Sequence, residues 1–224
     1  MDQLPIHSKA AYKSKQEYVY QILRDAIMRC ELAPGRKLII QEIADQLSVS
    51  SIPVREALRL LHSEDLVKYN AHTGAVVSEI TADSVIETFT VKEGLETVAT
   101  RVAMQKMTNR DLVELEKRLA EMDDVLKHRK YEDWGALNAQ FHLAIVNMTE
   151  MSLLKEMTLR VLDKWERIRH YFFQEVLVHR HHQSQEEHRA IVQAMKEGNS
   201  EKAERLVKEH NRHALQDYMQ HIRG

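Results

Sequence analysis

A mainly α-helical chain in two parts is predicted, and three observations predict it. Apolar residues recur at helical spacing along most of the 224 residues. Two short strand-like runs, Leu66 to Tyr69 and Ala75 to Ser78, interrupt that pattern around a turn. No proline follows Pro53, and from Thr81 onward only Gly94, Gly135, Gly198 and Gly224 break the helical signal. The length suits a first unit of about 80 residues and a larger all-α unit, each big enough to bury a core. We therefore expect an N-terminal arm at 1–15, a first domain at 16–80 and a second at 81–224.

In the first domain, Val19, Ile22, Leu23, Ala26 and Ile27 mark a helix that stops before Pro34-Gly35, and Ile43, Ala44 and Leu47 mark a short second one. Ser48-Val49 is the turn into a third. Ser50 is its expected N-cap, the hydroxyl accepting a hydrogen bond from a first-turn N–H, and Pro53 costs little there because those N–H groups have no helical partner. Val54, Ala57, Leu58 and Leu61 face a core, which turns Ser51, Ile52, Arg55 and Arg59 outward. The hairpin turn Asn70-Ala71-His72-Thr73-Gly74 ends in a glycine suited to positive φ. Three helices followed by a hairpin form a winged helix-turn-helix, whose third helix enters a groove of double-stranded DNA.

On that helix Arg55 can reach a phosphate or pair with a guanine edge, Ile52 can press on a thymine methyl, and Ser50 or Ser51 can bond to phosphate or base. Gln41, Arg59, His72 and the wing glycine Gly74 complete the candidate interface. The charge balance announces nothing: the chain has 32 Lys and Arg against 34 Asp and Glu. DNA contact would therefore be local, through a patch drawn from Lys9, Lys13, Lys15, Arg24, Arg36, Lys37, Arg55 and Arg59. The single cysteine, Cys30, excludes an internal disulfide and reads as a small buried hydrophobe on the first helix. No run has membrane-spanning length and the N-terminus lacks a signal-peptide core, so a cytoplasmic protein without a membrane partner is expected.

The second domain should be an antiparallel bundle of six helices. Thr81 caps the first, with Val85, Ile86, Phe89, Leu95, Ala99 and Val102 as its core stripe. Thr108 or Asn109 opens the second, with Leu112, Leu115, Leu119, Met122 and Leu126. The others are expected from about Glu132 to Met148, Ser152 to Val178, Ser184 to Lys196 and Ser200 to Ile222.

Its chemistry lies in histidines, of which the chain has 13. Asn138 and His142 are four apart and project from one helical face. His188 and His210 are equidistant from residue 199, the centre of the turn joining the last two helices, so their imidazoles come level in an antiparallel pair. Asn138, His142, His188 and His210 can then meet and bind a divalent metal such as zinc, nickel, iron, cobalt or manganese, with a position left for water or a carboxylate. A metal-free polar cavity, in which Asn138 bonds to His142 or His188, fits the same residues. His179, His181, His182 and His213 are substitutes, the first three placed in a solvent-facing loop. A metalloenzyme is the weakest reading, because no Glu or His is poised as a general base.

The motifs resemble the GntR family of bacterial regulators, in the branch with a FadR-type, or FCD, C-terminal domain. The resemblance rests on Pro34-Gly35, Ile43-Ala44, Leu47-Ser48-Val49, Pro53-Val54-Arg55-Glu56-Ala57-Leu58 and Gly74. In the second domain it rests on Asn138-Ala139-Gln140-Phe141-His142, Glu187-His188-Arg189 and Glu209-His210. It implies a homodimeric regulator, a repressor in the leading reading, that binds an inverted-repeat operator under control of a small carboxylate effector beside a metal, zinc or nickel. The alternative makes the metal ion itself the signal. The family commonly has an arginine at Ser51, a glycine at Ser48 and an aspartate at Asn138. It also often has an effector-binding arginine at Lys92. Arg160, Arg167 and Arg169 are further candidate partners for the effector carboxylate.

Overall fold

The computed structural model describes Leu4 and residues 14–70, 74–172 and 178–223. The chain divides into two compact units at Ile80/Thr81. In the first, α1 (Lys15–Met28), α2 (Ile40–Gln46) and α3 (Ser51–Ser63) precede the antiparallel strands β1 (Val67–Asn70) and β2 (Gly74–Val77). Ser14 caps α1 by accepting from the Glu17 N–H at 3.1 Å. The stripes Val19, Ile22, Leu23, Ala26, Ile27 and Val54, Ala57, Leu58, Leu61 share one core with Ile43, Ala44 and Leu47. Each strand lies one residue from its predicted position. Leu66 is taken up in closing α3, its N–H bonding to Leu61 O after Asp65 at φ 60°, so the ladder starts at Val67 opposite Val77.

Gly74 has φ 77°. Ser48 takes φ 53° in the turn between α2 and α3, a left-handed conformation that costs a side-chain-bearing residue about 1 kcal/mol or more, which is why a glycine suits the position. Cys30 is not on the helix. It follows the end of α1 at φ 57° and is only half-buried, because the chain reverses there to bring the Leu32 N–H to Ala26 O.

The second unit contains α4 (Ala82–Lys106), α5 (Asn109–Lys127), α6 (Tyr131–Met148), α7 (Ser152–Tyr171), α8 (Val178–Lys196) and α9 (Ser200–Arg223). Thr81 and Ser84 form a reciprocal capping box at the start of α4, and Thr108 and Asp111 do so for α5. Helix α4 packs against α6, α7 and α9, while α8 packs against α5 and α9. Among the described residues no helix is long and apolar enough to cross a membrane.

Two expectations need correction. Ile86 is 37% exposed, because α4 turns Lys92, Glu96, Thr97 and Thr100 inward along with Val85, Phe89 and Ala99. Helix α7 ends at Tyr171 rather than near 178, and α8 begins at Val178 rather than Ser184. His181 and His182 therefore lie on a helix, and His181 is buried against the Tyr131 ring at 5.1 Å instead of facing solvent.

Candidate DNA interface and metal centre

Ser50 occupies the N-cap position of α3, but its hydroxyl makes no capping bond. The cause is local: Pro53 stands at the third helical position, where a capping hydroxyl would find its donor, and proline has no N–H. Ser50 is left exposed beside half-buried Ser51. Ile52 is 70% exposed, and Arg55 is exposed without an ion pair to another described residue. Arg59 pairs with Glu56 at 2.7 Å, and Gln41 donates to Asp45 at 2.9 Å, so each has a partner to exchange before it could meet a base. Lys15 and Lys37 are exposed, whereas Arg24 is engaged by Glu64 at 3.3 Å. Lys9, Lys13 and His72 lie outside the described residues.

In the second unit three helices converge. Helix α6 supplies Asn138 and His142, α8 supplies His188 and α9 supplies His210. One ring nitrogen from each histidine lies within 4.8 Å of the others. The centroids of His188 and His210 are 4.7 Å apart, the level meeting that their symmetry about residue 199 requires. All four residues are buried, His188 completely.

Two carboxylates lie against the rings. His142 Nδ1 faces Glu96 Oε1 at 3.0 Å and His210 Nδ1 faces Glu187 Oε2 at 2.7 Å. At His210 the contact is a hydrogen bond: with Nδ1–H donating to Glu187, the neutral ring turns the lone pair of Nε2 away from its anchor, the tautomer a metal ligand needs. Glu96 Oε1 makes no hydrogen bond among the described residues and is only a close neighbour of His142. Among the described residues His142 Nε2, both nitrogens of His188 and Asn138 Oδ1 are buried with no hydrogen-bond partner. The alternative in which Asn138 Oδ1 bonds to His142 or His188 is thus not the arrangement present.

Burial holds all three imidazoles well below their ordinary titration range. The Lys92 charge adds to this at His142 and His210, and the His210 and Lys92 charges do so at His188. They are neutral at pH 7, as coordination demands. Three buried neutral imidazoles with ring nitrogens within 4.8 Å of one another, and the buried, unpaired amide oxygen of Asn138 one turn from His142, fit a divalent cation.

The roles of Glu96 and Glu187 beside the rings were missed from sequence, where a carboxylate on a helix rich in charged residues reads as surface; Glu187 entered only as part of the Glu187-His188-Arg189 motif. Glu96 is held by Lys92 at 2.8 Å and accepts from Asn211 Nδ2 at 2.8 Å. Lys92 also donates to Asn211 Oδ1 at 3.0 Å, so this cation is buried and committed to its neighbours. Glu187 accepts from buried Arg180 at 2.8 Å and from His213 at 2.9 Å. Of the other arginines, Arg160 is exposed and paired with Glu156 at 2.8 Å, so it faces solvent rather than the interior of the bundle. Arg167 and Arg169 are buried. Arg169 bonds both oxygens of Glu166; burial pushes that carboxyl up, but bonds from His170 and Arg169 outweigh it and hold it at about 2.

Comparison with known proteins agrees with both halves of this architecture. Residues 15–77 match the model of the bacterial regulatory proteins of the gntR family, and residues 87–213 match the FCD domain. The chain is 29% identical over 207 residues to the HTH-type transcriptional regulator YdhC of Bacillus subtilis, covering 91% of this chain and 90% of that one. It is 25% identical over 160 residues to the HTH-type transcriptional repressor RspR of Escherichia coli, covering 71% and 70%. The solved structure of Escherichia coli McbR/YncC superposes with a TM-score of 0.74 at 24% identity, over 94% of this chain and 99% of that one. These relatives are regulators rather than enzymes. A winged helix-turn-helix that presents Arg55 and Ile52, joined to a helical domain with a buried histidine triad, belongs to the GntR family of transcriptional regulators, in the branch that carries an FCD domain.

Proposed function

We propose that this chain is a dimeric, cytoplasmic repressor whose hold on an inverted-repeat operator is set by a small carboxylate bound beside a metal in the FCD domain. The mutual approach of ring nitrogens from His142, His188 and His210, with His142 Nε2, both His188 nitrogens and Asn138 Oδ1 buried and unpaired, carries this reading. These four residues would hold a divalent ion, zinc or nickel. The ion would supply positive charge and an open position for a carboxylate oxygen. Because Asn138 adds no negative charge, the site would favour an anion more than one built with aspartate. Glu187 fixes the His210 ring and Glu96 lies beside His142, and α4, α6, α8 and α9 would move with them.

Exposed apolar side chains on α4, among them Val91 and Val98, and on α7, among them Leu153 and Met157, support self-association of the second unit. A twofold pair of winged helices would then read two inverted half-sites, with Ser50, Ser51, Ile52 and Arg55 in the groove.

Metal content and footprinting test the proposal together. Protein prepared without chelator should carry close to one divalent ion per chain and protect two inverted half-sites. Absence of bound metal would remove the metal from the mechanism. A monomer protecting one asymmetric half-site would remove the dimer. A metal titration at fixed DNA, without any carboxylate, separates an effector-controlled regulator from one that answers to the ion alone.

A further inference from the structure

One side chain ties together the two helices that deliver His188 and His210. Arg180 on α8 and Asp217 on α9 are nearly equidistant from residue 199, and so are Glu187 and His210, so the antiparallel pair forms two rungs, seven residues apart on each helix. On the outer rung Arg180 Nη1 donates to Asp217 Oδ2 at 2.6 Å. On the inner rung His210 Nδ1 bonds to Glu187 Oε2 at 2.7 Å. The rungs are two helical turns apart, about 10 Å. Arg180 spans that gap: its Nη2 donates to the same Glu187 Oε2 at 2.8 Å and to the backbone carbonyl of His210 at 3.2 Å. The Glu187 side chain meets it part-way, because side chains lean toward the N-terminus of their helix and Arg180 lies in that direction.

Arg180 is buried, and a buried guanidinium must be paired and hydrogen-bonded wherever it sits. What sets this one apart is where its bonds end. A single oxygen, Glu187 Oε2, receives both the guanidinium and the His210 imidazole, and the third acceptor is the carbonyl of His210 itself. The angle of the His210 ring and the height of its helix are thus referred to one planar fork. A binding constellation must be held to within about 0.5 Å, and zinc–nitrogen bonds of about 2.0–2.1 Å leave no slack for a helix that slides. Sliding α8 along α9 would break both rungs at once. Arginine suits this task because it carries donors on two nitrogens in fixed geometry, whereas lysine offers one ammonium.

We propose that Arg180 is a positioning residue of the candidate metal centre: its fork locks α8 to α9 at two heights, and so fixes where His188 meets His210 and how the His210 ring is turned. The inference rests on the metal reading of the triad and adds the residue that sets its geometry.

The test uses full-length, chelator-treated protein titrated with zinc alone, read by competition with a chelating dye, and with cobalt alone, read by its visible absorption. Arg180→Gln should weaken zinc by about ten- to hundredfold, the usual loss when a partner behind a ligand is removed, and should shift the cobalt band as the donor geometry changes. Asp217→Asn breaks the outer rung and leaves Glu187 its guanidinium, so it should lower the melting temperature with a smaller loss of zinc affinity. Arg180→Lys keeps the charge without the fork and should recover only part of the loss. Combined with Glu187→Gln, Arg180→Lys should add nothing to the larger single loss, because both act on the same ring; this pair carries the test if Arg180→Gln does not fold. Zinc affinity in Arg180→Gln no lower than in Asp217→Asn, a cobalt band unchanged from the parent, full recovery by lysine, or additive losses in the double variant would overturn the proposal and leave the metal site standing. If the parent takes up neither ion, the metal reading falls and this one with it.

Discussion

Replacing His188 by phenylalanine gives opposite results with and without metal. In the metal-free protein His188 is fully buried with neither nitrogen paired, between Phe141 at 4.7 Å and Trp134 at 6.0 Å. Phenylalanine removes two desolvated nitrogens, worth about 1–3 kcal/mol for each unsatisfied group, against about 1–3 kcal/mol for fitting the larger ring. The metal-free variant should thus lie between about 1 kcal/mol below and about 5 kcal/mol above the parent's stability.

Adding zinc reverses the order. At a free concentration one hundred times its dissociation constant, an ion that binds only the folded state adds about 2.7 kcal/mol. For a domain of this size that raises the melting temperature by about 5–11 °C. His188→Phe should lose nearly all of that increment. Thermal melts of chelator-treated protein, with and without added zinc, measure both quantities in one series. An undiminished zinc increment in the variant would refute the three-histidine site. A metal-free variant destabilised by more than about 2 kcal/mol would show that His188 has a bonding role the unpaired nitrogens do not reveal.

Three further outcomes follow from the same geometry. Arg55→Ala should weaken operator binding by about 1–3 kcal/mol at fixed salt, with circular dichroism unchanged; unaltered binding would exclude Arg55 from the interface. Asn138→Asp should tighten zinc, read by competition with a chelating dye, because it adds a charged ligand to a neutral set; weaker binding would place Asn138 away from the ion. Stability should fall as pH drops below about 6.5, because buried His142, His181, His188 and His210 stay neutral in the fold while the unfolded chain takes up their protons. For His181, whose folded pKa is about 4, the loss runs from about 6.5 down to that value. His181→Phe should then flatten the urea-derived stability profile in this window by up to about 1.4 kcal/mol per pH unit, and an unchanged slope would contradict a neutral buried ring.

What was legible in the sequence was whatever obeys a period or a symmetry. The core stripes of α1 and α3 are buried as their spacing requires, and the meeting of His188 with His210 follows from their equal distance to a turn. The polar interior of the bundle was not legible. Glu96 and Lys92 sit one helical turn apart on α4, where such a pair ordinarily marks solvent; only neighbours distant in sequence, Asn211 and His142, show that it is buried. The run from His179 to His182 read as a loop because its side chains are polar on every face. Arg180 is nevertheless paid for by Asp217 and Glu187, and His181 by the rings of Tyr131 and Trp134. Ser50 failed as a cap for a reason visible in the sequence, the proline three residues later.

Helix α4 begins at Ala82, one residue past Thr81, the first residue of the second unit, and runs unbroken to Lys106. Glu96, which lies beside His142, is 14 residues along it, about 21 Å from its start. No loop intervenes to absorb a displacement. Under the proposed regulation, a displacement of Glu96 would travel along this one rod toward Thr81, past Gly94, where an added Cβ would meet no atom within 4 Å. In that proposal the helix is the pointer of a gauge, with Glu96 beside His142 part-way along it and its first turn at the start of the second unit.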